Sequence, residues 1–368
     1  MRTIVAISIL LALVLSGCAA QNQGKPPIYK ITAIGESKNY AVERVYFATD
    51  RNVTGSHEPN EMFGASLAAL TYGSCEVSIP RDHRMGEMEA PNFLRLEFRE
   101  DPEKHIVLLN VSTQTKDNFF SSMAERLRHS TSHSALLFVH GFDNSFADAA
   151  RRTAQMTYDL GFSGDPVFYS WPSKGEAAIS AYNDDAKQIE LAQLNLTAFL
   201  RDFFARSDAT NIYLVAHSMG NRALTRSIST VMSENPAWRP RLKEVILAAP
   251  DIDANIFKSQ IGPSLAAMGS PITLYASSSD KALSLAKAIN NGHARAGEAG
   301  PDLVIVDGIE TIDATGVDTD LIGHSYYGTN RSILSDMFYL VREDKRPDNR
   351  FGIVAVNAGQ HRYWTFKP

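Results

Sequence analysis

The chain has little cysteine, little excess charge and no long apolar run. Its 368 residues hold two cysteines, Cys18 and Cys75, so no dense disulfide framework holds it together. No group of cysteines and histidines has metal-ligand spacing and no glycine-rich phosphate loop occurs, so the sequence calls for no metal and no cofactor. A net charge of −5 and a pI near 6.1 leave no basic face for nucleic acid. The longest apolar run, Ile4 to Leu15, is too short to span a bilayer, which takes about 20 residues. Internal repeats are absent. What remains is an ordinary globular composition, 44% apolar and 21% charged, on a chain long enough for a full core.

The short apolar run carries its own message. Arg2 precedes it and small residues end it, the pattern of a signal peptide. Leu15-Ser16-Gly17-Cys18-Ala19-Ala20 resembles the bacterial lipobox. That resemblance implies removal of residues 1–17, lipidation of Cys18 and a polar, Pro- and Gly-containing tether over 18–30. Diacylglycerol plus an N-acyl chain exceeds the two signals that stable anchoring needs. Ala19, in place of aspartate, is similar to lipoproteins of the outer membrane, so the expected location is the bacterial cell envelope, facing the periplasm. Cys75 is then left alone, expected as a half-buried core residue, and an internal disulfide is excluded.

Two regimes follow. Residues 31–133 read as a β-rich N-terminal part. Strands are expected at Arg44–Thr49, Asn92–Phe98 and Ile106–Ser112, with an irregular stretch over 50–88 that has a short helical piece at Leu67–Leu70, and a helix at Asn118–Arg128. From Ser134 to the C-terminus, strand and amphipathic helix alternate. Continuous apolar strands are expected at Ala135–Val139, Pro166–Trp171, from Asn211, at Val245–Ala249, Ile272–Ala276 and Leu303–Val306. Helices are expected at Phe146–Tyr158, through Ile189–Phe203, after Ser218, at Ala282–Ile289 and Ser332–Val341. The class is α/β, a mostly parallel sheet covered on both faces, with chemistry collected at the C-terminal ends of its strands.

The most informative stretch is NIYLVAHSMGNRALTRS, from Asn211 to Ser227. It reads as strand, abrupt turn and helix with Ser218 at the apex, the context of a nucleophile elbow. Gly220 supplies the small residue two beyond the serine, and Ala216 replaces the usual glycine two before it. A serine hydroxyl needs a base, and the base needs a carboxylate to orient it. Asp280, ending YASSSD, is the expected acid; its other reading is a helix cap. Asp251 is the alternative acid, or closes the turn after Pro250. His324 in GHSYY, on a loop ahead of the last helix, is the expected base. His293 sits at the wrong end of its unit and His361 in a late polar tail. Backbone amides of Met219 and Phe142 are the expected oxyanion hole, with Gly141 letting the second loop turn inward. His140 is expected to pack and fix that loop. Trp171, Tyr182 and the 172–185 connection either wall the pocket or pack above the sheet.

The order HGFD, YSWPS, AHSMGNR, LAAPDID, YASSSDKAL and GHSYY resembles the α/β-hydrolase superfamily, and more narrowly a bacterial family of uncharacterised α/β-hydrolases. ATDRN and YGSCEVSIP upstream are similar to that family's N-terminal part. The resemblance covers about residues 44–342 and implies an α/β-hydrolase fold, with Ser218, Asp280 and His324 as nucleophile, acid and base. The expected activity is esterase- or lipase-like cleavage of a small-molecule or lipid acyl substrate. A peptidase or acyltransferase, and a non-catalytic envelope lipoprotein that uses the fold to bind, are the alternatives. Protein partners are not indicated.

Overall fold

The first strand of the sheet is also its longest-range element. In a computed structural model describing residues 39–367, other than 93, 95, 177, 280, 291, 316 and 318–332, β1 (Tyr40–Val53) pairs antiparallel with β2 (Phe63–Pro80) and parallel with β5 (Asp165–Ser170). β3 (Leu108–Gln114) adds to the far side of β2. α1 (Lys116–His129), β4 (Ser134–Val139) and α2 (Phe146–Asp159) precede β5. α3 (Ile179–Arg206), β6 (Asn211–His217), α4 (Gly220–Glu234) and β7 (Leu242–Ala248) follow it. Two short turns, α5 (Ala254–Ile256) and α6 (Gly262–Ala266), lead to β8 (Ile272–Ala276) and α7 (Lys281–Ile289). β9 (Glu310–Asp313), α8 (Ile333–Glu343) and a hairpin of β10 (Ile353–Ala358) and β11 (His361–Phe366) end the chain. These residues lie in one unit, Ala33–Pro368.

The sheet has eleven strands in the order β10-β11-β9-β8-β7-β6-β4-β5-β1-β2-β3. From β11 to β1 every neighbour is parallel, so their C-terminal ends share one edge. β4 shows why the sequence reads as it does. All six of its residues are buried, Ala135, Leu137 and Val139 on one face, Leu136 and Phe138 on the other. The first face is covered by α1, α3 and α4, through Phe119, Phe199 and Leu224. The second lies under α2 and α8, through Phe146, Met156 and Met337. Each such side chain contributes about 1.5–3 kcal/mol on burial. α2 is started by a full capping box between Ser145 and Asp148.

Four expectations are corrected. The stretch over 50–88 is not irregular: β2 runs through it, and Leu67–Leu70 belong to a strand. Four apolar residues in a row mimic a helix face, but β1 pairs with β2 on either side of them, Arg51 with Leu67 and Thr49 with Thr71, and decides the matter. The described residues between 92 and 98 form no strand; Leu94 and Leu96 are exposed and Leu96 has φ 58°, a turn conformation. Leu303–Val306 is apolar because Val304 is buried and Val306 packs beneath α6 at Gly262, while the strand, β9, begins four residues later. The C-terminal hairpin was not expected at all. Cys75 is fully buried rather than half-buried, and burial raises its thiol pKa. Among the described residues no helix is long and apolar enough to cross a membrane.

Candidate active site

Ser218 stands where β6 turns into α4, at φ 47°, a left-handed conformation that an L-residue adopts at a cost of about 1–2 kcal/mol. The strain is held by bonds to β7. The Ser218 amide donates to the Ala248 carbonyl at 2.9 Å, and the buried Asn221 side chain donates to the carbonyls of Ser218 (3.0 Å) and Ala248 (3.2 Å). The two glycines expected to matter do so for measurable reasons. A Cβ on Gly220 would lie 2.4 Å from the His140 carbonyl oxygen and 2.7 Å from that of Val139. A Cβ on Gly141 would lie 2.9 Å from the Ser218 Cβ. Ala216 is fully buried in β6, so its extra methyl is accommodated.

The loop after β4 therefore lies directly against the serine. Phe142 is half-buried and its ring meets Tyr182 edge-on at 5.5 Å; Met219 is fully buried at the head of α4. Among the described residues neither the Phe142 nor the Met219 amide donates to a backbone carbonyl. His140 packs flat on Trp171 with ring centroids 5.1 Å apart, and the Trp171 indole donates to the His140 carbonyl at 2.7 Å. Its Nδ1 is 2.8 Å from the Gly141 carbonyl and its Nε2 3.2 Å from the Ser170 hydroxyl. Burial, then the charge of Arg51, lowers its pKa to about 3, so the ring is neutral. Trp171 and Tyr182 thus have definite structural work beside the site.

Sequence reasoning missed Arg51. Its guanidinium is buried and contacts three segments: the Ser170 hydroxyl (2.8 Å), the Ser173 carbonyl (2.8 Å), the Asn144 carbonyl (2.7 Å) and the Gly64 carbonyl (3.1 Å). Its own pKa is lowered to about 10 by burial. The one local signal was a polar run, Thr49-Asp50-Arg51-Asn52, inside an otherwise apolar strand.

Asp251 is buried beside the elbow, its amide donating to the Ser218 carbonyl at 3.2 Å. Its carboxylate is engaged on both oxygens: Oδ1 by Arg295 (2.7 Å), Oδ2 by the Tyr182 hydroxyl (2.7 Å) and Arg222 (2.9 Å). Burial and the neighbouring Asp251 charge push the Tyr182 hydroxyl up to about 12. Asp280 and His324 lie outside the described residues, as do Cys18 and residues 1–38. The chain enters 280 from the end of β8 and 318–332 from beyond β9, whose last residue, Asp313, pairs with Ala276 at the end of β8. His293 is exposed and 3.8 Å from Asp253. His361 opens β11, at the opposite end of the parallel strands from Ser218. Among the described residues no three histidine, cysteine or acidic side chains are grouped to hold a metal.

No curated protein matches the sequence. Among solved structures, the chain is similar to a predicted CIB-like hydrolase from Thermoplasma acidophilum at 10% identity and TM-score 0.32, covering 77% of this chain and 90% of that one. It is similar to fungal esterases from Rhizomucor miehei at 10% identity and TM-score 0.33, covering 83% and 85%. It is similar to phospholipase PlaB from Legionella pneumophila at 13% identity and TM-score 0.33, covering 64% and 67%. The sequence profile of the alpha/beta hydrolases of unknown function, DUF900, matches residues 115–342, and the chain belongs to that family.

Proposed function

We propose that the protein is a serine hydrolase that cleaves an acyl ester or thioester through an acyl-enzyme on Ser218. The observation that carries this reading is the left-handed Ser218 on a strand-to-helix turn, with the Gly141 loop packed against its Cβ. In the proposed mechanism Ser218 attacks the carbonyl while His324 takes its proton. The Phe142 and Met219 amides receive the oxyanion, which needs two donors already in place. His324 then protonates the leaving group and activates water for deacylation. Asp280 orients His324. Asp280 is preferred over Asp251 because the Asp251 carboxylate is already held by Arg222, Arg295 and Tyr182. Lipidation at Cys18 would anchor the enzyme in the bacterial envelope, within reach of lipid acyl substrates.

A fluorophosphonate probe tests the reading on the protein lacking residues 1–17. Wild type should be labelled, and Ser218→Ala should lose labelling and hydrolysis of short p-nitrophenyl esters. Labelling that survives the substitution moves the nucleophile elsewhere. A wild type that resists the probe favours a binding module.

A further inference from the structure

We infer that Arg51, Ser170 and His140 form a hydrogen-bonded relay that fixes the plane of the Gly141–Phe142 peptide, making Arg51 a positioning residue for the oxyanion hole; the inference rests on Ser218 being the nucleophile. The direction of each bond follows from what its donor can give. Arg51 Nε can only donate, so the Ser170 oxygen accepts from it at 2.8 Å. The Ser170 proton is then available to His140 Nε2, 3.2 Å away. A neutral imidazole that accepts at Nε2 carries its proton on Nδ1, and Nδ1 stands 2.8 Å from the Gly141 carbonyl, which can only accept. In a trans peptide the N–H points opposite to the C=O. Holding the Gly141 carbonyl toward His140 therefore aims the Phe142 N–H the other way.

The same arginine closes the far end of the loop. Its Nη2 donates to the Asn144 carbonyl at 2.7 Å, and the Asn144 side chain donates to the Phe142 carbonyl at 2.7 Å. Gly141, at the near end of this loop, is the residue packed on Ser218. A guanidinium is costly to bury, and among the described residues its contacts are three carbonyls and a hydroxyl rather than a carboxylate. Lysine cannot reproduce the arrangement, because one ammonium nitrogen cannot reach acceptors spread around a planar fork.

The experiment pairs catalysis with a readout that catalysis does not touch. Nitrogen-15 shifts of the His140 ring report its tautomer in wild type, Arg51→Lys and Ser170→Ala, alongside kcat and KM on a p-nitrophenyl ester. Leu340→Ala, on the buried face of α8, serves as a control for lost stability. Wild type should show the Nδ1–H form. Both relay variants should mix tautomers and lose about 10- to 100-fold in kcat, with KM within about twofold, beyond any loss in the control. Ser170→Ala removes one hydroxyl and keeps the test open if Arg51→Lys does not fold. An unchanged tautomer in both variants overturns the relay. A shifted tautomer with kcat near wild type overturns the positioning role. A shifted tautomer in a protein whose wild type neither takes the probe nor cleaves esters overturns Ser218 as nucleophile, and the positioning role with it, while the relay stands.

Discussion

At the scale of single residues, the elbow is a set of close approaches with little slack. Gly220→Ala would drive a methyl into two carbonyl oxygens at 2.4 and 2.7 Å, with backbone on both sides. It is expected to destabilise by about 2–4 kcal/mol, seen as a lowered midpoint in urea unfolding. Asp251 behaves differently. Its substitution by asparagine leaves Arg222 and Arg295 with less counter-charge in a buried site, at an expected cost on the order of 3 kcal/mol. Asp280→Asn is expected to abolish ester hydrolysis with a melting temperature near wild type. Comparing the two variants by thermal melting and turnover separates a structural acid from a catalytic one. The elbow could be read from sequence because its rule is local, small residues two on either side of a serine. Arg51 could not, because its acceptors are main-chain and hydroxyl groups up to 122 positions away in the chain.

At the scale of elements, the loop after β2 is tied to the end of α2 by a charged clasp. His83 meets Glu89 at 2.8 Å through Nδ1 and Asp159 at 2.9 Å through Nε2, and its side chain is 3% exposed. Burial alone would lower its pKa, but bonds to Asp159 and Glu89 overcome this and raise it from 6.5 to about 9. Because the folded value lies above the unfolded one, the stabilisation is complete below about pH 6.5 and is lost as pH rises through about 9, up to ~3 kcal/mol in all. Glu43, Asp165 and Glu244, raised to about 7, titrate below most of this window. Melting temperature should therefore fall between pH 7.5 and 9.5 in wild type and stay flatter in His83→Gln. A slope equal in both proteins would count against the clasp. Elements with continuous burial, such as β4 and β8, matched their expected limits closely, since a run of apolar residues leaves few choices. Half-exposed strands did not. β2 alternates weakly, and β10 and β11 bury few of their residues, so their pairing is visible only in three dimensions.

At the scale of the whole molecule, the expected anchor at Cys18 is joined to the folded body through residues outside the described part. Cys18→Ala should abolish incorporation of labelled fatty acid and release the protein from washed membranes; retention of both would place the anchor elsewhere. The body itself carries a buried charge network at its C-terminal end. Arg350 bonds Asp336 at 2.6 Å and Arg346 bonds Glu244 at 2.9 Å, fastening the tail to α8 and β7. Tyr275 of β8 donates to the same Asp336 at 2.6 Å, so α8, which follows the segment holding His324, is fixed to the sheet.

The pairing of β1 with β5 bears on the order of assembly. Tyr46 meets Val167 and Thr49 meets Ser170, contacts that close a loop of some 120 residues. Such distant pairings are slow to form, because the chain entropy must be given up before the contact exists. During synthesis β1 leaves the ribosome long before β5, and until they meet β5 has an open edge and the loop after β4 lacks Arg51. The elbow can fold early from its own neighbours. The Gly141–Phe142 loop beside it waits for a strand made near the beginning of the chain, so the packing around Ser218 is expected to be completed late in folding.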